Sequence, residues 1–336
     1  MSTGSVMPLL QVTELHKHYP IKGGILGRRL GHIQAVAGVS LSVQPGETLG
    51  LVGESGCGKS TLGRTLMRLE EPTSGQVRFE GKDLLSAGGE QLMQLRRDIQ
   101  MIFQDPYSSL NPRMTIGEIV REPLLVHGLG SKAEQIETVR SLLEKVGLGS
   151  EVMSRYPSEF SGGQRQRIGV ARALTLRPKL VIADEPVSAL DVSVQSQVLN
   201  LMVDLQRELG LSYIFISHDL SVVQHVSDVV AIMYLGCIVE TGPVKRIFAQ
   251  PAHPYTRALL QAIPSGDPRR PRRGAPLSGE TPSQAERPKG CVFANRCPHA
   301  VDACRQAQPA STVIASAPDQ PDHLVACIRH AELSQA

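Results

Sequence analysis

The fold of this chain is constrained most by two glycine-rich motifs, each placed where a helix is expected to begin. The first is the run Gly53-Glu54-Ser55-Gly56-Cys57-Gly58-Lys59-Ser60-Thr61, which fits the pattern G-x4-G-K-S. The second is Ser161-Gly162-Gly163-Gln164. Many nucleotide-binding proteins carry a loop of the first kind, but few pair it with a second motif that has the features of an anion site. The pair predicts an ATP site that a second protein chain completes.

Short apolar runs bounded by turn residues predict fully buried strands at residues 47–52, 180–183 and 213–217. Strands that alternate with helices predict an α/β fold with a mostly parallel sheet, helices on both of its faces, and ligands at the carboxyl ends of the strands. The length of 336 residues is enough for one such domain and a smaller module. Helical periodicity occurs between the strands, at residues 60–69, 133–146, 164–176 and 193–209.

Two further parts of the chain follow other patterns. Residues 8–48 consist of short alternating segments with Gly and Pro turns, and residues 76–79 alternate in the same way. These segments predict an antiparallel sheet beside the parallel core. The stretch from about residue 96 to 172 is mostly helical, so it predicts a helical subdomain inserted into the core.

A change of composition marks the last part of the chain. Proline and arginine are dense at residues 264–273, a pattern typical of a linker. We therefore predict one large domain over residues 8–250 and a small terminal module over residues 251–336.

Composition and charge argue against several classes of protein. The 35 Lys and Arg residues nearly balance the 32 Asp and Glu residues, which argues against a nucleic-acid-binding surface. Residues 1–5 lack the basic and apolar regions of a signal peptide, and the longest nearly apolar run, 229–239, is too short to span a membrane. We expect a cytosolic protein whose partners do any membrane work.

The residues of the first motif suit a triphosphate. Glycines let successive backbone N–H groups point at the β- and γ-phosphates, and the following helix adds its dipole. Lys59 would neutralise phosphate charge, and the Ser60 hydroxyl would ligate Mg²⁺.

Two carboxylates follow the predicted strand at residues 180–183. Asp184 would lie at the strand tip facing the metal, and Glu185 would polarise the attacking water. The alternative is a pair of solvated turn residues. Gln104 and His218 also follow apolar runs, but neither is informative by itself.

Taken together, these motifs resemble the ordered set of an ABC transporter ATP-binding subunit. The resemblance covers about residues 8–250 and implies a RecA-like P-loop NTPase core with an antiparallel β subdomain and an inserted helical subdomain. The motifs that carry it are 53–61, Gln104, 160–167, 180–185, 188–191 and His218.

The resemblance also implies roles for single residues. Tyr19 would stack on adenine, Gln104 would contact Mg²⁺ and the attacking water, and His218 would contact the γ-phosphate. Asp191 would belong to a loop that crosses the seam between two chains. The ATP contacts of the first motif would be Gly53, Ser55, Gly56, Cys57, Gly58, Lys59, Ser60 and Thr61, with Mg²⁺ held by Ser60, Gln104 and Asp184.

The second motif explains why two chains would be needed. Ser161, Gly162 and Gly163 precede a helix, so a hydroxyl, N–H groups and the helix dipole form an anion site without a lysine. Such a site suits a γ-phosphate that another chain already holds. ATP would then join the two chains, and its hydrolysis would release them.

The run Pro251-Ala252-His253-Pro254-Tyr255 resembles the His-Pro-Tyr segment of oligopeptide and dipeptide importers, and the wider match resembles the F-type subunit of a dipeptide importer. This resemblance implies a D-type ATP-binding partner, two transmembrane permease subunits, an extracytoplasmic peptide-binding protein, and a place at the cytoplasmic face of the bacterial inner membrane. Import of nickel, haem or longer peptides stays open, and a homodimer is an alternative to the D-type pairing. A soluble ABC ATPase and a phosphate-loop kinase are weaker alternatives.

Four of the six cysteines lie near the end of the chain, with the spacing C-x5-C-x6-C-x22-C. This spacing matches neither paired zinc motifs nor common ferredoxin motifs, so it does not define a metal by itself. Resemblance to peptide-importer ATPases implies a [4Fe–4S] cluster. Zinc, with help from His299 or His323, and unligated thiols are the alternatives. The expected ligands are Cys291, Cys297, Cys304 and Cys327.

Overall fold

The computed structural model describes residues 7–23, 28–263, 287–317 and 320–333. Its contacts divide the chain into two compact units. The first unit consists of Met1–Val43, Thr48–Leu85 and Ser217–Ala336, and the second consists of Gln44–Glu47 and Ser86–Ile216. The predicted linker at residues 264–273 lies outside the described residues. The predicted boundary near residue 250 stays a prediction.

The secondary structure alternates between strands and helices over much of the chain. The strands are β1 (Leu10–Gly23), β2 (Arg28–Val43), β3 (Thr48–Val52), β4 (Ser74–Phe79), β5 (Lys82–Asp83), β6 (Ile99–Ile102), β7 (Leu180–Asp184), β8 (Ser212–Ser217), β9 (Val229–Tyr234), β10 (Cys237–Pro243), β11 (Thr312–Ala317) and β12 (Gln320–Val325). The α-helices are α1 (Lys59–Leu66), α2 (Gly89–Asp98), α3 (Ile116–Val126), α4 (Lys132–Lys145), α5 (Gly162–Leu174), α6 (Val192–Leu209), α7 (Leu220–Val226), α8 (Val244–Ala249), α9 (Pro254–Ala262) and α10 (His330–Leu333).

An antiparallel sheet in the first unit has the strand order β2-β1-β4-β5. Strands β1 and β2 pair from Leu10 opposite Val43 to Gly23 opposite Arg28. The apolar side chains of Leu10 and Val12 alternate with exposed ones, so one face of β1 is buried and the other is open to water. The predicted antiparallel sheet is therefore confirmed.

The first unit also contains strands in the order β11-β12-β10-β9-β3. Strand β3 runs parallel to β9, with Leu49 opposite Val229, and β9 continues through a tight turn into the antiparallel strand β10. Every residue of β3 and of β9 is buried, which is why these strands consist almost entirely of apolar residues. Strand β12 pairs antiparallel with β10, so residues near the end of the chain extend this sheet.

The second unit contains three parallel strands in the order β8-β7-β6. All residues of β7 and β8 are buried, as the apolar runs predicted. The stretch from residue 96 to 172 is mostly helical, but it begins with the end of α2 and with strand β6. Strand β6 is only four residues long, too short for its apolar run to be distinguished from part of a buried helix.

Capping residues fix where several helices of the second unit begin. Thr115 and Ser131 each accept a hydrogen bond from the backbone N–H three residues later, and the glutamate at that position accepts one in return from the capping residue. This reciprocal capping box satisfies donors that the first turn of a helix leaves without partners. Among the residues that the structure describes, no helix is long and apolar enough to cross a membrane.

Candidate functional site

The glycine-rich loop between β3 and α1 belongs to the first unit and is closely packed. A Cβ atom added to Gly53 would lie 2.1 Å from the carbonyl oxygen of Met233 and 2.8 Å from the sulfur of Cys57. Only glycine fits at such a distance from a backbone oxygen. The Lys59 ammonium donates to the carbonyl oxygens of Gly53 at 2.8 Å and Glu54 at 3.1 Å, and Lys59 is only 4% exposed. The lysine therefore lies inside the loop that it follows.

Cys57 is buried within this loop. Burial raises the pKa of its thiol, while the nearby Lys59 charge acts in the opposite direction. A buried thiol with a raised pKa is expected to pack rather than to react.

Tyr19 and His218 also belong to the first unit. Tyr19 is half-buried on β1, and the Lys17 ammonium lies 4.9 Å from the centre of its ring. His218 is exposed immediately after β8. Both side chains are therefore accessible from water, as contacts with a soluble nucleotide require.

Two predicted site residues of the second unit are in direct contact. The Gln104 side-chain amide donates to the Glu185 carboxylate at 2.9 Å. Glu185 has a φ of 45°, in the left-handed region that residues other than glycine rarely adopt. Its backbone N–H is held by the carbonyl of Ile216 at 2.9 Å. Asp184, one residue earlier, ends β7 and is buried. The turn therefore gives the two neighbouring carboxylates different environments. The Asp184 carboxylate is buried, whereas the Glu185 carboxylate is bound by the Gln104 amide.

The second glycine-rich motif begins α5 in the second unit. The Ser161 hydroxyl accepts from the backbone N–H of Gln164, and the Gln164 side chain accepts from the backbone N–H of Ser161, which forms a capping box. Gly162 and Gly163 occupy the first two helical positions, whose N–H groups have no partner within a helix. An anion at this helix start would therefore meet two glycine N–H groups and an exposed serine hydroxyl.

The glycines of this motif also have a packing role. A Cβ atom added to Gly163 would lie 2.3 Å from Cγ1 of Val194 on α6. Asp191 precedes α6 as its N-cap residue, but its side chain accepts no hydrogen bond from the helix, and the residue is exposed. The structure thus brings Gly163 close to the segment that contains Asp191.

The four terminal cysteines line a single apolar cavity of the first unit together with Phe293 and His299. None forms a disulfide. Burial, followed by the neighbouring thiols, raises the pKa of Cys291 to about 11. Burial is also the largest cause of the raised pKa values of Cys297 and Cys327.

A metal at these cysteines is not confirmed. Within the described ranges, no group of three or more His, Cys, Asp or Glu side chains is arranged to hold a metal ion. His323, considered as a zinc ligand, is buried and bonds through Nε2 to the Glu240 carboxylate at 2.7 Å. That carboxylate also accepts from the backbone N–H groups of Ala252 and His253. His323 therefore has a structural partner.

Three residues at the glycine-rich loop were missed by sequence reasoning. The Arg296 guanidinium donates to the Glu54 carboxylate at 2.7 Å, and the Tyr255 hydroxyl accepts from the Glu54 backbone N–H at 3.0 Å. Tyr255 lies in the His-Pro-Tyr segment, and Glu54 is an acidic residue inside a phosphate loop. Those two signals were present in the sequence, but the contact with Arg296 spans 242 residues and leaves no local pattern.

Comparison with known proteins identifies the family. A family model described as ABC transporter matches residues 36–188, and one described as Oligopeptide/dipeptide transporter, C-terminal region, matches residues 239–304. The oligopeptide transport ATP-binding protein AppF of Bacillus subtilis is 51% identical over 332 residues, which cover 97% of this chain and 99% of AppF. This chain belongs to the ABC transporter ATP-binding proteins. A second relative of the ABC ATPase is the dipeptide transport ATP-binding protein DppF of Haemophilus influenzae, 53% identical over 302 residues, which cover 90% of this chain and 92% of DppF.

Solved structures agree with the fold of this ABC ATPase. CbiO1 from Clostridium perfringens, part of the ABC transporter complex cbiONQ, is 29% identical with a TM-score of 0.63 and covers 72% of this chain and 91% of its own. The ATP-binding cassette MJ0796, solved as a dimer in a post-hydrolysis state with ADP and Pi, is 28% identical with a TM-score of 0.62 and covers 70% of this chain and 98% of its own. The predicted P-loop core is confirmed.

The close packing of Gly53 makes a testable prediction for the ABC ATPase. In Gly53→Ala, the added methyl group meets the Met233 carbonyl oxygen, so the loop has to move away from it. We expect the affinity for MgATP to fall by about tenfold or more, which corresponds to about 1.4 kcal/mol. Titration with a fluorescent ATP analogue measures this change.

The matched control is Gly169→Ala in α5, where an added Cβ has open space around it. That variant should bind MgATP like the wild type, since alanine is well tolerated in a helix. Equal affinities for Gly53→Ala and the wild type would show that the loop does not need its observed conformation.

Proposed function

We propose that this chain is the ATP-hydrolysing subunit of an ABC importer that drives the uptake of dipeptides and short peptides. One observation carries this proposal: a single chain combines a match to the ABC transporter family with a match to the oligopeptide/dipeptide transporter C-terminal region. Relatives named for oligopeptide and dipeptide transport cover nearly its whole length. Its proposed place is the cytoplasmic face of the bacterial inner membrane, as a peripheral subunit.

The first motif is proposed to hold the triphosphate. Backbone N–H groups of Gly56 and Gly58 would point at the phosphates, and the helix dipole of α1 would favour their negative charge. Lys59 now donates to two carbonyl oxygens of its own loop, and it would exchange these for phosphate oxygens on binding. The full proposed set is Tyr19, Gly53, Ser55, Gly56, Cys57, Gly58, Lys59, Ser60 and Thr61, with Tyr19 stacking on adenine.

The proposed magnesium ligands are oxygen donors, which suit this hard cation. They are the Ser60 hydroxyl, the Gln104 side-chain carbonyl and the Asp184 carboxylate. When bound, Mg²⁺ neutralises charge on the β- and γ-phosphate oxygens. The Gln104 side-chain N–H group donates to Glu185, and the carbonyl oxygen of the same amide would be the atom that ligates Mg²⁺.

Glu185 is the proposed base that orients and polarises the attacking water. Its left-handed backbone turns the carboxylate away from the line of β7, and the Gln104 amide holds one of its oxygens. A general base must be held within hydrogen-bond reach of the proton that it accepts. Gln104 would therefore position Glu185, and His218 would contact the γ-phosphate.

A second ATP-binding chain is proposed to complete the site. Ser161, Gly162, Gly163 and Gln164 would contact the γ-phosphate of ATP held by the partner, and Asp191 would cross the seam. The exposed serine hydroxyl and the two N–H groups at the start of α5 support this role, since they can bind an anion without a charged side chain. A D-type ATP-binding subunit is the proposed partner.

The closing and opening of the two ATP-binding chains would be transmitted to two transmembrane permease subunits. An extracytoplasmic peptide-binding protein would deliver the peptide. The proposed contact with the permeases lies at residues 104–122 of the second unit. Exposed aromatic residues support this position, because Tyr107 is 61% exposed and Phe103, just before the segment, is 38% exposed. Solvent-exposed aromatic side chains are characteristic of protein interfaces.

The proposed role of Glu185 predicts that Glu185→Gln binds ATP but hydrolyses it slowly. The amide keeps the size of the side chain but accepts protons poorly, so turnover should fall by about 10²–10⁴-fold. The measurement is phosphate release by the complex assembled with its partners, alongside the affinity for MgATP. Turnover close to that of the wild type would refute this role.

We also propose that Cys291, Cys297, Cys304 and Cys327 hold a [4Fe–4S] cluster. Four thiols line one cavity and supply the donor set that such clusters need, although among the described residues their observed arrangement is not that of a metal site. The raised pKa values of Cys291, Cys297 and Cys327 mean that a metal would displace protons from these thiols on binding, and the positive charge of the iron would compensate for the burial of thiolates.

Anaerobic purification followed by iron and acid-labile sulfide assays tests the cluster. We expect about four irons and four sulfides per chain, lost in Cys297→Ser and retained in the control Cys237→Ser, whose thiol lies in β10 away from the other four. A chain with zinc at these cysteines, or with no metal, would contradict the proposal.

A further inference from the structure

An acidic residue lies inside the loop that is proposed to hold the triphosphate. Glu54 follows Gly53 directly, and its side chain is 21% exposed. A carboxylate beside a phosphate site repels the ligand, because like charges weaken binding unless a cation compensates. Lys59 is the residue proposed to bind the phosphates, so a further positive charge would be needed to compensate for the Glu54 carboxylate.

Arg296 supplies that charge from the terminal segment, which we define as residues 287–333. Its guanidinium lies 2.7 Å from the Glu54 carboxylate and 3.4 Å from the Tyr234 hydroxyl, and its side chain is 7% exposed. A buried, charge-assisted pair of this kind is stronger than an ion pair in water.

The main chain of Glu54 is held as well. Its N–H donates to the hydroxyl of Tyr255, which is fully buried at the start of α9. The Tyr255 ring packs against Tyr234 with ring centres 4.6 Å apart and against Phe293 of the terminal segment at 5.3 Å. This aromatic cluster of Tyr234, Tyr255 and Phe293 fixes the hydroxyl that Glu54 uses.

We propose that Arg296 is a positioning residue for the phosphate loop, through which the terminal segment sets the affinity for MgATP. By neutralising Glu54, it removes the repulsion between that carboxylate and the triphosphate, and it holds the loop where Gly53 and Lys59 are observed. This inference rests on the proposed ATPase function and adds a part of the chain to it. It does not depend on which metal, if any, the cysteines hold.

A double-mutant cycle separates charge compensation from a merely structural effect. The four proteins are the full chain as wild type, Arg296→Met, Glu54→Gln and the double variant, each titrated with a fluorescent ATP analogue in the presence of Mg²⁺. We expect Arg296→Met to weaken binding by about tenfold, because Glu54 loses its partner. Glu54→Gln should bind as tightly as the wild type or more tightly, and the double variant should return to within about threefold of the wild type.

Three further measurements accompany this cycle. Arg305→Gln changes an exposed arginine of the terminal segment, which bonds to Asn295, and it should leave the affinity unchanged. The weakening in Arg296→Met should also shrink as salt increases, because the unpaired carboxylate acts over distance. Thermal unfolding of every variant reports on the fold. Loss of charge compensation can weaken nucleotide binding without lowering the unfolding temperature.

The outcomes are distinct. Wild-type affinity in Arg296→Met overturns the inference, and so does a double variant that binds as weakly as Arg296→Met, since the arginine would then act only through folding. A wild-type chain that binds no MgATP overturns the proposed function and this inference with it. Binding that requires Lys59 but not Arg296 leaves the proposed function in place and overturns the inference alone.

Discussion

The close contact of the phosphate loop with strand β9 is the constraint on which the rest of the first unit depends. Gly53 lies so near the Met233 carbonyl oxygen that no side chain fits, and this contact holds the loop to the buried strand β9. Lys59 then closes the loop from inside by binding two of its carbonyl oxygens. A loop held in this way is already ordered before the nucleotide arrives. Binding therefore loses less conformational entropy, which favours it.

The second unit contributes a different kind of chemistry. Its site residues follow β6 and β7 or begin α5, and they include a carboxylate held by an amide and an anion site without a lysine. The first unit thus presents a cation and a glycine loop, whereas the second presents a base and a helix start. In the proposed function, the glycine loop would hold MgATP and the start of α5 would contact MgATP held by the partner chain. Each motif would therefore need its counterpart on a second chain.

Much of the fold was predictable from the sequence because its central strands are buried on both sides. The runs at residues 180–183 and 213–217 are apolar throughout, and the structure places β7 and β8 there. Strand β6 was hidden inside a helical stretch because a four-residue segment with three apolar residues has no distinguishing period. The strands β11 and β12 were also missed, since pairing with β10 depends on contacts distant in the chain. For the same reason, the contacts of Arg296 and Tyr255 with Glu54 could not be predicted from the sequence. The role of Gln104 was predicted only from the family resemblance, and the structure shows that its side chain is hydrogen-bonded to that of Glu185.

The central claim is that two chains share one MgATP through the serine of the second motif. Sedimentation velocity of the Glu185→Gln chain, alone and mixed with the proposed ATP-binding partner, tests it most directly. The account predicts that MgATP shifts the protein to the mass of a pair, and that adding Ser161→Glu abolishes the shift without weakening nucleotide binding, because the new carboxylate repels the γ-phosphate. Pairing that does not need ATP, or that persists in the Ser161→Glu protein, would contradict it.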